Sequence, residues 1–291
     1  MTIARSQIVD LQSTRWYHCI SRCVRKSFLL TDEFHDRKSW IDNRLKQLEA
    51  IFAISVGGFS TMDNHLHLLL RVDPDIARDW SDQEVAKRWL TLYPPRDVKR
   101  QPIAPTQDMI QNLAENTSWV QTARERLSSL SWFMKCLKEP LSRMANKQDN
   151  CKGTFFEARF KSIAILDEES LLTVAAYIDL NPVAAGVASL PEPSPHTSIK
   201  ERVDHVVATG NLENVEAIRS GSVSAQQVSE GIEDNCWLIP IEDQRSQGGK
   251  REGLIEGFTL GQYLMLVDCT SRTVRDNKQS VSTELESIFD R

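Results

Sequence analysis

Several common classes of protein are excluded by what this chain lacks. Its six cysteines, Cys19, Cys23, Cys136, Cys151, Cys236 and Cys269, are scattered over 291 residues without the dense spacing of a disulfide scaffold, so reduced thiols are expected. Cys19 and Cys23 lie four apart in a segment that reads as a strand, which separates them by about 13 Å and argues against a zinc half-site. No run of 18 or more apolar residues occurs, and Met1-Thr2-Ile3-Ala4-Arg5-Ser6-Gln7 lacks the apolar stretch of a secretory signal. A cytoplasmic protein without a membrane partner is the expectation. Internal repeats are absent. So is an excess of positive charge: the net charge of −5 excludes a generic, sticky nucleic-acid binder.

The acidity is uneven. Residues 1–200 carry 26 Lys and Arg against 24 Asp and Glu, whereas residues 201–291 carry 9 against 16. A near-neutral front portion leaves room for a local basic groove, for which Arg15, Arg22, Arg25, Lys26, Arg159 and Lys161 are candidates; ordinary solvated charges are the competing reading of each. With 41% hydrophobic residues the chain has enough apolar material for a full core, in one large domain or two smaller ones.

Hydrophobic spacing outlines the elements. Residues 15–22, rich in aromatic and β-prone side chains, predict a first strand. Trp40, Ile41, Leu45 and Leu48 recur every three to four residues and predict a helix over 35–50. Phe52 to Ser60 alternates like a second strand, and a short turn through Thr61 to Asn64 joins it to a third as a hairpin. Residues 74–126, with Pro94, Pro95, Pro102 and Pro105, read as a partly helical insertion. Leu130, Phe133, Met134, Leu137, Leu141 and Met144 mark a helix with a core-facing stripe despite Pro140. Phe160 to Leu166 predicts a further strand, followed by a helix over 167–180 that Asp167 caps and Pro182 stops. Pro191, Pro193 and Pro195 mark a boundary, after which an acidic, mostly helical extension covers 191–291.

Two short patterns carry chemistry. In Met62-Asp63-Asn64-His65-Leu66-His67-Leu68-Leu69-Leu70-Arg71, strand alternation points His65 and His67 to one face, a half-site for a divalent metal or simply two exposed histidines on an edge strand. On the 167–181 helix, Tyr177 and Asn181 are i and i+4, about 5–6 Å apart. An amide oxygen suits Mg2+ or Mn2+, and a tyrosine needs such an ion or basic groups nearby to act as a nucleophile at neutral pH. The alternative is a half-buried tyrosine with Asn181 as a helix C-cap.

Four blocks in order, Tyr17-His18-Cys19-Ile20-Ser21-Arg22, Met62 to Leu70, Gly153-Thr154-Phe155-Phe156-Glu157-Ala158-Arg159-Phe160-Lys161-Ser162, and Tyr177-Ile178-Asp179-Leu180-Asn181-Pro182-Val183-Ala184-Ala185-Gly186, resemble those of the REP-associated tyrosine transposases, members of the single-tyrosine HUH nucleases. Phe258 to Asp268 looks like the tail of longer members. The resemblance implies a ferredoxin-like, RRM-like α+β domain over residues 1–190, with an antiparallel sheet, flanking helices and the 74–126 insertion. It implies that His65, His67 and Asn181 hold Mg2+ or Mn2+ and that Tyr177 is the nucleophile. The implied partner is single-stranded or hairpin DNA in the nucleoid, cleaved through a 5′-phosphotyrosine intermediate by a monomer or homodimer, with Arg15, Arg22, Arg159 and Lys161 as DNA contacts. Trp16 and Phe155 are candidates for base stacking or for core packing. The chain departs from the family pattern at Ala184, where a basic residue is usual, and at Ala158, where glycine is. A non-catalytic DNA-binding regulator is the rival reading; a metallohydrolase lacks a further ligand motif and gives Tyr177 no task.

Overall fold

The computed structural model describes residues 9–31, 34–215, 232–243, 252–273, 279–286 and 288. The chain divides into two compact units, Met1–Asp32 with Val56–Leu70 and Phe156–Arg291, and Glu33–Ser55 with Arg71–Phe155. Strands β1 (Trp16–Arg22), β2 (Ile54–Thr61), β3 (His65–Val72) and β4 (Lys161–Ile165) form one sheet in the order β2-β3-β1-β4. β1 and β4 are antiparallel, with Trp16 opposite Ile165 and Ile20 opposite Lys161. Met62 donates its N–H to the His65 carbonyl at 2.9 Å and closes the turn between β2 and β3. Helix α1 (Arg37–Ile51) separates β1 from β2 in the chain. Helices α2 (Pro74–Asp79), α3 (Asp82–Leu92), α4 (Gln107–Ala114), α5 (Thr117–Leu127) and α6 (Leu130–Gln148) separate β3 from β4. This is the strand order and connectivity of a ferredoxin-like α+β fold, with α2 to α5 added before the second crossover helix.

Alternation decides what each sheet face does. Leu66, Leu68 and Leu70 are fully buried on one face of β3, which leaves His65, His67 and Leu69 on the other. On β1, Tyr17 and Cys19 are fully buried, and Trp16, His18, Ile20 and Arg22 share the face of His65 and His67. The Trp16 ring reaches across Leu69 to β2, where a Cβ on Gly57 would come within 2.8 Å of it. Glycine is what lets the indole come this close to the strand.

The helices over this face are α7 (Glu168–Asp179), the one-turn α8 (Asn181–Ala184), α9 (Ser198–Ala208) and α10 (Leu260–Ser271). Leu69 and Ile165 of the sheet share a core with Leu171, Ala175 and Ile178 of α7, Ile199 and Val206 of α9, and Leu264 and Val267 of α10. The described residues beyond 190 therefore build the same core as β3, β4 and α7. Besides α9 and α10 they include a two-stranded parallel ladder, β5 (Glu242–Asp243) with β6 (Ile255–Glu256). The expectation of a mostly helical extension falls partly on 216–231, 244–251 and 274–278, which lie outside the described residues. Pro182 interrupts the helical ladder but does not end helical structure. It has no N–H to give the Ile178 carbonyl, so α7 closes at Asp179 and the chain restarts with Pro182 in the first turn of α8.

The second unit is built from α1 to α6. Phe52 and Phe133 meet edge to face at 5.4 Å. Pro140 sits inside α6, where it leaves the Cys136 carbonyl without its helical donor; the Arg44 guanidinium takes that carbonyl at 3.3 Å. Arg124 closes α2 by donating to the Ala77 and Trp80 carbonyls at 2.5 and 2.6 Å while pairing with Asp82 at 2.7 Å.

Candidate functional site

The sheet face changes character along its length. Trp16, Leu69 and Ile165 belong to the core at one end, and the other end gathers His18, His65, His67 and Arg22. His65 and His67 share one face, as strand alternation requires, with ring centroids 4.9 Å apart. His18 on β1 stacks on His67 at 5.0 Å, and its Nε2 lies 2.8 Å from His67 Nδ1. His18 lies in the first of the four blocks, where the resemblance implies no role for it. Its signal was available in the alternation of β1, but only once β1 is known to lie beside β3.

The hydrogen bonds leave one nitrogen of each strand β3 histidine available. Asn64 Oδ1 lies 2.6 Å from His65 Nδ1, and as an acceptor it keeps the proton there and the lone pair on Nε2. Asn64 is itself fixed, because its Nδ2 donates to the Lys26 carbonyl at 3.0 Å and its own carbonyl accepts from the Cys23 N–H at 2.8 Å. Arg25 and Lys26 hold left-handed backbone angles, φ 54° and 56°, to make that loop. His67 Nδ1 is engaged by His18, while its Nε2 is buried without a hydrogen-bond partner. A buried, orphaned imidazole nitrogen is costly unless a ligand takes it. Burial lowers the pKa of His67 to about 3, with His18, His65 and Arg22 adding repulsion, and burial lowers that of His18 to about 4. His65 is lowered as well, by burial first and then by Arg22. All three are neutral at pH 7, the form in which imidazole donates a lone pair.

Tyr177 stands over this cluster from α7. Its ring meets His67 edge-on at 5.5 Å and His18 at 6.1 Å, and it is 43% exposed. It also forms part of the wall of an apolar cavity of about 370 Å³ with Leu172, Ala176, Leu180, Ala184 and Leu266. Asn181 is buried at the start of α8, so the break at Leu180 separates it from the continuous helix that carries Tyr177. Among the described residues its side chain makes no hydrogen bond to the imidazoles or to Tyr177, and no group of three or more His, Cys, Asp or Glu is arranged to hold a metal. The two free Nε2 atoms fit a divalent metal as a half-site.

The basic candidates divide. Arg22 is exposed at the site end of β1, close enough for its charge to act on His65 and His67. Lys161 is exposed opposite Ile20, on the histidine face. Arg159 is exposed in the bend before β4, and Glu157, two residues earlier, donates its N–H to the Arg22 carbonyl at 2.8 Å. Arg15 precedes β1 at the opposite end, about 23 Å of strand from Arg22, and is half-buried. Of the stacking candidates, Phe155 is buried and Trp16 packs against the core over Gly57, so packing is the role of both.

No protein-family model and no curated protein matches the sequence. A solved structure of a REP-associated tyrosine transposase bound to a REP hairpin is similar with a TM-score of 0.38 and 13% identity, over 65% of this chain and 78% of that one. A likeness of that size carries no functional inference. Among the described residues no helix is long and apolar enough to cross a membrane.

Proposed function

We propose that the protein is a metal-dependent single-stranded DNA endonuclease and strand transferase that acts at or near hairpin-forming repeats through Tyr177. The observation that carries this reading is the meeting of an exposed phenol with the buried imidazoles of His67 and His18, at ring distances of 5.5 and 6.1 Å, with the half-buried His65 against His67 at 4.9 Å and an exposed arginine beside them. The four sequence blocks supply the same residues in the same order. His65 Nε2 and His67 Nε2 would hold Mg2+ or Mn2+, with the Asn181 carboxamide as third ligand. Bound there, the ion supplies Lewis-acid polarisation of the scissile phosphate.

Tyr177 Oη attacks phosphorus, and the bond to the 3′-oxygen breaks. The phenol proton leaves the tyrosine and the departing oxygen gains one, giving a 5′-phosphotyrosine and a free 3′-hydroxyl. Because the phosphodiester energy is kept in that link, attack by a second 3′-hydroxyl rejoins strands without a nucleotide cofactor. Arg22, Lys161 and Arg159 contact the DNA backbone and hold its register without reading sequence. The apolar cavity beside Tyr177 leaves open space at the nucleophile.

Purified protein mixed with end-labelled hairpin DNA and Mn2+ or Mg2+ tests this. A denaturant-resistant adduct is expected from the wild type and not from Tyr177→Phe, and chelation is expected to abolish it. Cleavage that persists in Tyr177→Phe contradicts the role of the tyrosine. A second reading, a DNA-binding regulator without turnover, draws on the placement of Asn181 away from hydrogen-bonding contact with the imidazoles; DNA binding without adduct under every metal supports it.

A further inference from the structure

Two residues beyond Tyr177, the α7 helix carries a carboxylate that the reaction does not use. Asp179 is 1% exposed, and both of its oxygens are engaged. Ser198 Oγ and the Ile199 N–H, at the start of α9, donate to Oδ1 at 2.5 and 2.9 Å; the Tyr263 hydroxyl of α10 donates to Oδ2 at 2.5 Å. Ser198 Oγ also accepts from the Phe59 N–H of β2 at 2.9 Å. One turn along α9, the buried Arg202 donates to the Gly57 and Ile239 carbonyls at 3.0 and 2.8 Å and pairs with Glu233 at 2.6 Å, which sets a positive charge near the carboxylate. Burial and the neighbouring carboxylate hold Tyr263 well above the ordinary tyrosine pKa, so it stays a donor.

We propose that Asp179 is a positioning residue for Tyr177: pinned to β2, α9 and α10, it fixes the rotation of α7 so that the phenol faces His18 and His67. The inference rests on the reading of Tyr177 as nucleophile. Residues two apart on a helix point about 200° from each other, so a clamp on one side sets the direction of the other. The apolar contacts of Leu171, Ala175 and Ile178 set which face of α7 meets the core, and the hydrogen bonds, being directional, narrow its rotation further. The chain beyond residue 190 thereby takes a part in the chemistry, because two of the three donors belong to α9 and one to α10.

Tyr263→Phe removes one hydroxyl and keeps the ring, which makes it the decisive variant. At a temperature where both full-length proteins are folded by circular dichroism, the single-turnover rate of adduct formation on hairpin DNA with Mn2+ is expected to fall at least about tenfold, with DNA affinity unchanged. Without DNA, amide hydrogen exchange over residues 174–181 is expected to quicken. Ser198→Ala, which removes a donor to the other oxygen, is expected to give the same split. An unchanged adduct rate overturns the proposal even if the melting temperature drops. A rate loss matched by an equal loss of DNA affinity also overturns it, because general loosening does that. Should the wild type give no adduct, the nucleophile reading fails, and unchanged exchange in Tyr263→Phe then removes the tether as well.

Discussion

His18 and His67 approach each other with 2.8 Å between Nε2 and Nδ1, a geometry in which one nitrogen must accept and a doubly protonated pair is excluded. Burial supports the neutral state, lowering the two pKa values to about 4 and about 3. In the unfolded chain both titrate near 6.5. The unfolded state therefore takes up protons between pH 6.5 and about 4 that the folded state refuses, so stability is full above pH 6.5 and is lost as the pH falls. Each imidazole contributes at most about 1.4 kcal/mol per pH unit across that window. Denaturant unfolding at steps from pH 7.5 to 4.5, in chelator, is expected to show this slope, and His18→Phe to make it shallower. A flat profile would mean that the histidines are solvated in the folded protein. His65 differs in kind. Its partner is an amide oxygen that cannot titrate, so Asn64 fixes the tautomer of the neutral ring.

At the scale of the element, α7 is the piece whose placement decides the site. Asp167 caps it by accepting the Ser170 N–H at 2.7 Å, and Glu168 and Glu169 face the positive end of its dipole. Asp167→Ala is expected to lower the midpoint of thermal or denaturant unfolding; no change would mean that packing alone sets the start of the helix. That start was legible in the sequence, as were the alternation that puts His65 and His67 on one face and the run of strands and helices. Each is a local pattern. The Pro140 helix was legible too, but not the Arg44 that takes the carbonyl freed by the proline, because their pairing spans 92 residues. His18 and Asp179 were missed for the same physical reason. A histidine on β1 gains meaning only from the neighbouring strand, and an aspartate on a helix only from the hydroxyls that fold around it. Asn181 lies past the break at Leu180, so its spacing of four from Tyr177 does not by itself set their distance.

For the whole molecule, charge and core are divided differently. The unit of Glu33–Ser55 and Arg71–Phe155 holds 18 Lys and Arg against 15 Asp and Glu; the unit that carries the histidines holds 17 against 25. Any grip on DNA at the candidate site must come from local groups such as Arg22 and Lys161, since the net field of that unit is repulsive. The core shows that the chain after residue 190 is not an appendage. Ending the protein there removes Ile199, Val206, Leu260, Leu264 and Val267 from the cluster around Leu69, Ile165 and Leu171. At about 1.5–3 kcal/mol for each buried side chain, their loss matches or exceeds the net stability of an ordinary domain. The truncated protein is expected to aggregate or to melt without cooperativity, and a soluble fragment with a sharp transition would show that the α9 and α10 core is dispensable. The most direct test of the central claim is mass spectrometry of the protein after reaction with hairpin DNA and nuclease trimming. A nucleotide phosphate attached to Tyr177, dependent on metal and absent from His67→Ala, is the predicted result. Cleaved DNA with Tyr177 unmodified would contradict it.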